Sequence, residues 1–497
     1  EGDITWRNVT AKYGWWRLFA SPFEPACLSK YDVTSNPPCA FEKCLYPHAC
    51  FGAADPGKYV NEDGYDLAEL DRIEQCDESY GYSNNCTDEH GNFVRCRLCA
   101  TCTTGYKRKG STAKCQQCPD STTNKIWLAL GFIVMLCGLS FLVYSTIRGE
   151  ERGSGARGGK LSAIKKILLN FMQMVSLAAS LPLEWPAAVH TMFDTLSTIS
   201  SAGTTLLIPD CELSHLDSTQ AFYYKQIFYT FAIPLLIAGS IITWCFIYAT
   251  CARRWKLEWS KVKNRMILTM ALFIFLCYPM LIKLCLSMLK CVLVGNQFYL
   301  MASLQEPCFQ GEHLKYVLLL TIPQLISLTG LPFLVLLLLR RNKKHLEDPQ
   351  FRMRYGLLYR GYVKDREWWE AIVALRKIAG VSIGTFGSLI GSPATQVGLA
   401  LFLGFISIVL HLVGQPFGSP NGESKRLHFM ELYSLIVIWC TNWGGLMLYV
   451  DDNNGNSNGD ARIWLTTFII GLVCSYNVAA IYIFGKTLIG TAIQNRK

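Results

Sequence analysis

From residue 126 onward the chain is a series of long apolar runs, and no other feature constrains its fold as much. A helix crossing about 30 Å of hydrocarbon needs about 20 mostly apolar residues. Nine stretches meet that length: 126–147, 161–180, 221–250, 265–289, 315–339, 369–389, 395–413, 429–450 and 463–485. Polar residues shrink to short loops between them, so only 17% of the residues are charged, against about 25% in an average soluble domain. The expected fold is an all-α polytopic membrane domain of about nine transmembrane helices over 126–490. A small polar domain, 1–125, precedes it and a tail, 491–497, follows.

Orientation follows from where lysine and arginine fall in the short loops. Loop 148–160 reads RGEERGSGARGGK, loop 251–265 reads CARRWKLEWSKVKNR, and loop 340–366 carries RRNKKH and FRMRYGLLYRGYVKDR. Loop 414–428 adds Lys425 and Arg426, and the chain ends NRK. Neither Lys nor Arg occurs in the alternate loops 183–220, 291–312, 390–394 and 451–461. This alternation puts the basic loops and the C-terminus in the cytoplasm and residues 1–125 outside. The net charge of +10 then reflects membrane orientation, so a lipid bilayer is the expected partner and nucleic acid is not. Two glycosylation sequons, at Asn8 and Asn85, lie in the outside portion and agree with it.

Eleven cysteines fall within 1–125: Cys27, Cys39, Cys44, Cys50, Cys76, Cys86, Cys96, Cys99, Cys102, Cys115 and Cys118. The last five read C-x2-C-x2-C-x12-C-x2-C, a spacing that would suit zinc in a reducing compartment. Outside the cell disulfides are the expectation, and a segment this poor in aliphatic clusters needs them in place of a core. Eleven is odd, but the outside loops add Cys211, Cys291 and Cys308, which makes complete pairing possible. Cys291 and Cys308 share one loop and are expected to bridge each other. Cys211 is then left for a cysteine of 1–125, or the odd one finds a partner upstream of Glu1. The other seven cysteines lie in or beside spans, as small apolar packing residues.

The stretches FEKCLYPHACFG and CRLCATCTTGYKRKGSTAKCQQCP resemble the ephrin-receptor-like cysteine-rich repeat of large surface proteins of algae, oomycetes and ciliates. In those proteins the repeat, here at about 96–120, often precedes a multi-span C-terminal domain. RYGLLYRGYVKDREWWEAIVALRKIAG (354–380) is similar to the approach to a late span in that family, and more loosely to fungal TRP-like and flavin-carrier proteins. LPLEWP (181–186) and the loop from Cys291 also fit. The resemblance covers about 27–490. It implies a TRP-like membrane domain at the plasma or ciliary membrane, and an outside filament or surface-coat protein as partner. That partner includes the upstream part of the same chain, and a polycystin-type channel is a further one. It also favours reading the start at Glu1 as a continuation of a longer chain over a cleaved signal.

Ionisable and polar residues within the spans are costly and deserve individual readings. Lys283 either lines an ion path or snorkels to the outer surface; snorkelling is the expectation. Asn170, Gln173, Gln324, Asn442 and Asn477 are expected to make interhelical hydrogen bonds. Glu431 is expected to pair locally with Lys425 and Arg426, His411 to be a hydrogen-bonded packing histidine, and Glu370 and Arg376 each to meet a neighbouring helix or the basic loop. Trp368 and Trp369 belong to an interfacial belt, and Pro234, Pro279, Pro323 and Pro332 to kinks. Gly380, Gly384, Gly387 and Gly391, spaced by four within GVSIGTFGSLIG, are expected to let another helix approach closely. Segment 183–208 reads as an amphipathic surface helix or a re-entrant hairpin. No phosphate loop, metalloprotease motif or nucleophile elbow occurs, so neither an enzyme nor a cofactor is expected. Two functions are left: a membrane anchor for a large extracellular protein, coupling an outside filament or coat to the bilayer, or a TRP-like, force-gated cation channel.

Overall fold

The protein was analysed as a computed structural model. It describes residues 11–17, 41–51, 75–87, 93–108, 115–152, 156–179, 181, 183, 185–200, 211–213, 216–255, 258–295, 297–390, 392–418, 425–453 and 459–494. Asn8, Gly391, Cys27 and Cys39 lie outside these. The chain divides into two compact units.

The first unit combines Glu1–Leu128, Ile208–Phe228 and Ser287–Ile322. Its strands are short and all antiparallel. β1 (Trp15–Arg17) pairs with β2 (Phe41–Lys43), β3 (Asn85–Thr87) with β4 (Phe93–Arg95), and β5 (Tyr106–Arg108) with β6 (Cys115–Gln117). The region from Cys291, read above as a loop, is a three-stranded meander of β7 (Cys291–Val294), β8 (Gln297–Leu300) and β9 (Ser303–Pro307). Gly295, at φ 65°, supplies the left-handed turn between β7 and β8. The buried core is small: Trp16, Tyr82, Leu98, Tyr299 and Leu304 pack with the sulfurs of Cys44, Cys50, Cys76, Cys99 and Cys115. Gly81, at φ 76°, lies under the Tyr106 ring, where a side chain would collide with it.

The second unit combines Ala129–Leu207, Tyr229–Leu286 and Pro323–Lys497, and the regular structure among its described residues is all helical. In chain order the helices are α1 (Ser121–Arg152), α2 (Ala156–Ala178), α3 (Ala187–Ser200), α4 (Ser218–Trp255), α5 (Trp259–Met288), α6 (Gly311–Tyr316), α7 (Ile322–Arg341), α8 (Pro349–Tyr359), α9 (Trp369–Ile390), α10 (Pro393–Gly414), α11 (Lys425–Asn453) and α12 (Gly459–Gln494). A π turn, Val317–Thr321, joins α6 to α7 just ahead of Pro323; the wider turn absorbs a residue with no N–H to give. Pro234, Pro279 and Pro332 lie inside α4, α5 and α7.

The principal core forms around α2. Ala163, Ile164, Ile167, Phe171, Val175 and Ala178, repeating every three or four residues, pack against α3, α10, α11 and α12. α3 turns Val189, Phe193 and Leu196 into that core. At about 1.5 Å per residue its 14 residues reach about 21 Å, short of a bilayer crossing. It is thus an amphipathic helix packed on protein, while residues 201–208 of the expected segment lie outside the described residues.

Among the described residues, eight helices are long and apolar enough to cross a membrane. The ninth expected span, 369–389, forms the 22-residue helix α9 but carries Glu370, Arg376 and Lys377. It still runs the full length of α10. At one end the Gln396 side chain bonds the carbonyls of Ile383 (2.8 Å) and Gly384 (3.2 Å) and covers Gly387. At the other end the Trp369 ring sits against Gly414. The two helices pack antiparallel along their length. Ser392 and Pro393 start α10 by a side-chain cap and a preset φ.

The small residues of α9 are not equivalent. A Cβ on Gly387 would run into Gln396, whereas one on Gly380 would meet Met174, Leu177 and Leu403 at ordinary contact, 3.5, 3.6 and 3.9 Å. Gly387→Ala should therefore destabilise the purified protein by about 1–3 kcal/mol and Gly380→Ala by less than about 1 kcal/mol, read as thermal midpoints in detergent; equal losses would contradict the packing.

Candidate functional sites: a cystine-braced unit and a buried ionic layer

Among the described residues of the first unit, six disulfides supplement the small apolar core. They join Cys44–Cys50, Cys76–Cys99, Cys86–Cys96, Cys102–Cys115, Cys118–Cys211 and Cys291–Cys308. Each cysteine of the C-x2-C pairs goes to a different partner, so the spacing that resembled a zinc site is spent on crosslinks. Among the described residues no group of three His, Cys, Asp or Glu could hold a metal ion. Cys118–Cys211 spans 93 residues and so removes the most freedom from the unfolded chain, on the order of 4 kcal/mol in the chain-entropy picture.

Around these bonds three polar contacts fix remote segments of the unit. Arg97 donates to the Leu304 carbonyl at 3.2 Å and to Gln305 Oε1 at 3.3 Å, with its guanidinium 4.1 Å above the Tyr299 ring. Leu98 and Cys99 beside it hold left-handed φ of 52° and 50°. Asn124, one turn into α1, donates to Glu212 Oε1 at 2.8 Å, next to Cys211. Asp120 caps α1 by accepting from the Thr123 N–H at 3.0 Å, which holds its carboxyl below the usual aspartate range. A polar cavity of about 380 Å³ lies here, lined by Thr104, Tyr106, Gln117, Asn124 and Glu212 beside the Cys118–Cys211 bond.

The third contact is a buried brace at Glu306. Its carboxylate accepts from the Tyr223 hydroxyl at 2.9 Å and the His313 N–H at 3.1 Å. The His313 ring accepts from Phe309 N–H at Nδ1 (2.8 Å), which leaves Nε2–H to donate to the Met288 carbonyl (2.9 Å). One carboxylate and one imidazole thus tie together the start of α4, the end of α5, β9 and α6.

In the second unit eight ionisable side chains gather at the helix ends that adjoin the basic loops. Lys166 on α2 meets Glu370 on α9 at 2.9 Å, and the two are 2% and 10% exposed. Tyr362 donates its hydroxyl to Glu370 Oε2 at 2.9 Å and lies 4.1 Å from the Lys166 ammonium across its ring. Burial, with Glu370 and Glu431 nearby, pushes the Tyr362 phenol well above its ordinary range, so it stays a donor. Arg376 on α9 meets Glu431 on α11 at 3.0 Å, again nearly buried. His411 and His428 stack with ring centroids 4.7 Å apart, and His411 Nε2 bonds the His428 carbonyl at 3.2 Å. Lys377 lies 4.3 Å over the Phe275 ring. Above Arg376 a cleft with a cavity of about 40 Å³ runs between α2, α9, α10 and α11 to Asn442.

The expected residues fall as follows. Glu370 and Arg376 do meet neighbouring helices. Glu431 does not pair with Lys425 and Arg426, which are exposed at the start of α11; five and six residues away on a helix, they do not face it, and Arg376 takes their place. Gln324 accepts from Thr230 at 3.3 Å, Gln173 donates to the Leu276 carbonyl at 3.3 Å, and Asn477 donates to Thr441 at 3.0 Å. Asn442 faces the cleft, and Lys283 is exposed. Asn85, in β3, is exposed. Sequence reasoning missed Lys166, Lys377 and His428. The doublet Lys165-Lys166 inside an apolar run was a usable signal, because a lysine there must find a partner within the bundle.

Over 450 residues, 76% of this chain, the sequence is 23% identical to Cysteine repeat modular protein A of Toxoplasma gondii. The aligned region is 14% of that protein, so the chain spans only a small part of the length of the relative it matches. No family model matches the chain, and no solved structure matches it.

Removing one partner of a buried ion pair leaves the other charge stranded, at about 3–5 kcal/mol, whereas removing both is often neutral. Glu431→Leu should therefore lower the thermal midpoint sharply, and Arg376→Leu/Glu431→Leu should recover most of the loss. A double variant as unstable as the sum of the singles would contradict the pairing.

Proposed function

We propose that this chain is the membrane-embedded portion of a large cysteine-rich surface protein, gripping the bilayer and taking up load from chain outside the cell. In this reading the basic loops face the cytoplasm and the cystine-rich unit faces outward. The observation that carries it is the bracing of the first unit. Cys118–Cys211 ties the approach to α1 to the approach to α4, and the Glu306–His313 brace ties the ends of α4, α5 and α6 to β9. Pull on the N-terminal side is thereby shared among several helices rather than borne by α1 alone, which gives a use for many spans where one would hold. The relative supports the same direction, since its printed name describes a protein of cysteine repeats and this chain matches a small part of it. An extracellular filament or coat, including further chain upstream, is the partner this function requires.

The TRP-like channel reading rests on the number of spans. Two of its candidate polar residues, Gln324 and Asn477, have hydrogen bonds to neighbouring helices, which favours the anchor.

The test is expression of the full chain in cells with a folded reporter fused ahead of Glu1 and a tag after Lys497. The reporter should be labelled by a non-permeant antibody, should resist carbonate extraction, and the C-terminal tag should be reached only after permeabilisation. Reconstituted in planar bilayers, the same chain should pass no gated current under membrane tension. An inward-facing reporter, or selective tension-gated conductance, would overturn the anchor reading.

A further inference from the structure

The ionic layer of the second unit does not balance its own charge. Lys166, Arg376 and Lys377 are buried there with two carboxylates, Glu370 and Glu431. Lys166 and Arg376 take one carboxylate each. Among the described residues no carboxylate lies within bonding distance of Lys377, whose recorded contact is the face of Phe275. A charge left uncompensated in a hydrocarbon-embedded bundle is costly, so such residues mark binding sites more often than passive packing.

The layer opens onto the cleft through one group. Arg376 lines it, its side chain is nine-tenths buried, and its Nε–H has no partner among the described residues. Beyond the guanidinium the walls are mostly apolar, with Met174 and Leu177 from α2, Leu403 from α10, and Leu435 and Ile438 from α11, and with Ser407 and Asn442 as the polar exceptions. Glu431 and Ile438 are seven residues apart, so this apolar stretch extends about 10 Å along α11. A free anion would answer the charge and leave those walls bare; a neutral lipid would do the reverse.

We propose that the cleft is a binding site for an anionic membrane lipid. A headgroup oxygen accepts the Arg376 Nε–H, and one acyl chain lies along the apolar part of the wall. The space now open is narrow, and Met174, unbranched and flexible, is the wall that yields. Gly380 keeps that wall low. Its missing side chain would sit 3.5 Å from Met174 Cε and 3.6 Å from Leu177 Cδ1, so a large residue there fills the cleft. This goes beyond anchoring: it gives the bundle a preference for one lipid class.

The experiment reconstitutes the full chain in phosphatidylcholine nanodiscs containing about a tenth phosphatidic acid and reads retained lipid by native mass spectrometry. The wild-type chain should keep about one phosphatidic acid, enriched about tenfold over its share of the bilayer, the order expected of a specific charged contact. Gly380→Leu should abolish the enrichment while the variant, though less stable than the wild type, still unfolds in a single transition in pure phosphatidylcholine. Leu403→Phe, narrowing the cleft from the opposite wall, should do the same. Arg340→Gln/Arg341→Gln, at the exposed basic end of α7, should leave it intact. No enrichment in the wild type would overturn the proposal, as would enrichment that survives both cleft variants. Loss only in the α7 variant would reduce the effect to surface attraction, and displacement by inorganic phosphate would make the site one for soluble anions; either result overturns it.

Discussion

Hydrocarbon does not solvate polar groups, and most of this structure is an answer to that fact. Backbone N–H and C=O groups must be satisfied inside each segment, so the apolar runs become helices. Charged side chains that enter the layer must be satisfied there too. They are gathered at one level, near the helix ends next to the basic loops, where Lys166 meets Glu370 and Arg376 meets Glu431. The same demand is met in α9, which carries Glu370, Arg376 and Lys377 in its first nine residues: Glu370 and Arg376 face partners inside the bundle, and the helix otherwise packs along α10.

The two units are held by different chemistry because they meet different solvents. The helical unit has a continuous apolar core centred on α2 and uses ion pairs for position. A buried pair adds little net stability over a well-packed apolar substitute, but it fixes which faces meet. Lys166–Glu370 and the contact of Met174 and Leu177 with Gly380 place α2 and α9 in one register. The cystine unit has strands of three to five residues and a core too small to be stable alone. Among the described residues its shape is set by six covalent crosslinks and by a few polar contacts that span long stretches of chain, such as Arg97 to the β8–β9 region and Glu306 to Tyr223.

The features legible in the sequence were those with a local or statistical signature. The spans are set by composition over about 20 residues, and the bond between Cys291 and Cys308 lies within a single loop. Partner choice across the fold was not legible. Glu431 has two cations close by in sequence but pairs with one 55 residues away, because helix periodicity turns Lys425 and Arg426 to another face. The β7–β9 meander was read as loop because its strands are short and its turn depends on one glycine. Gly380 and Gly387 share a spacing motif, yet one borders a cleft and the other is pressed against Gln396; spacing alone cannot tell which side of a helix has a neighbour.

The account depends most on the disulfides of the cystine-rich unit, which form only in an oxidising space. Non-reducing peptide mapping of the full chain, purified from cells with free thiols blocked at lysis, tests this directly. The account predicts a linked peptide joining Cys118 to Cys211 and a second joining Cys291 to Cys308. Blocked, unpaired thiols at Cys118 and Cys211 would contradict it.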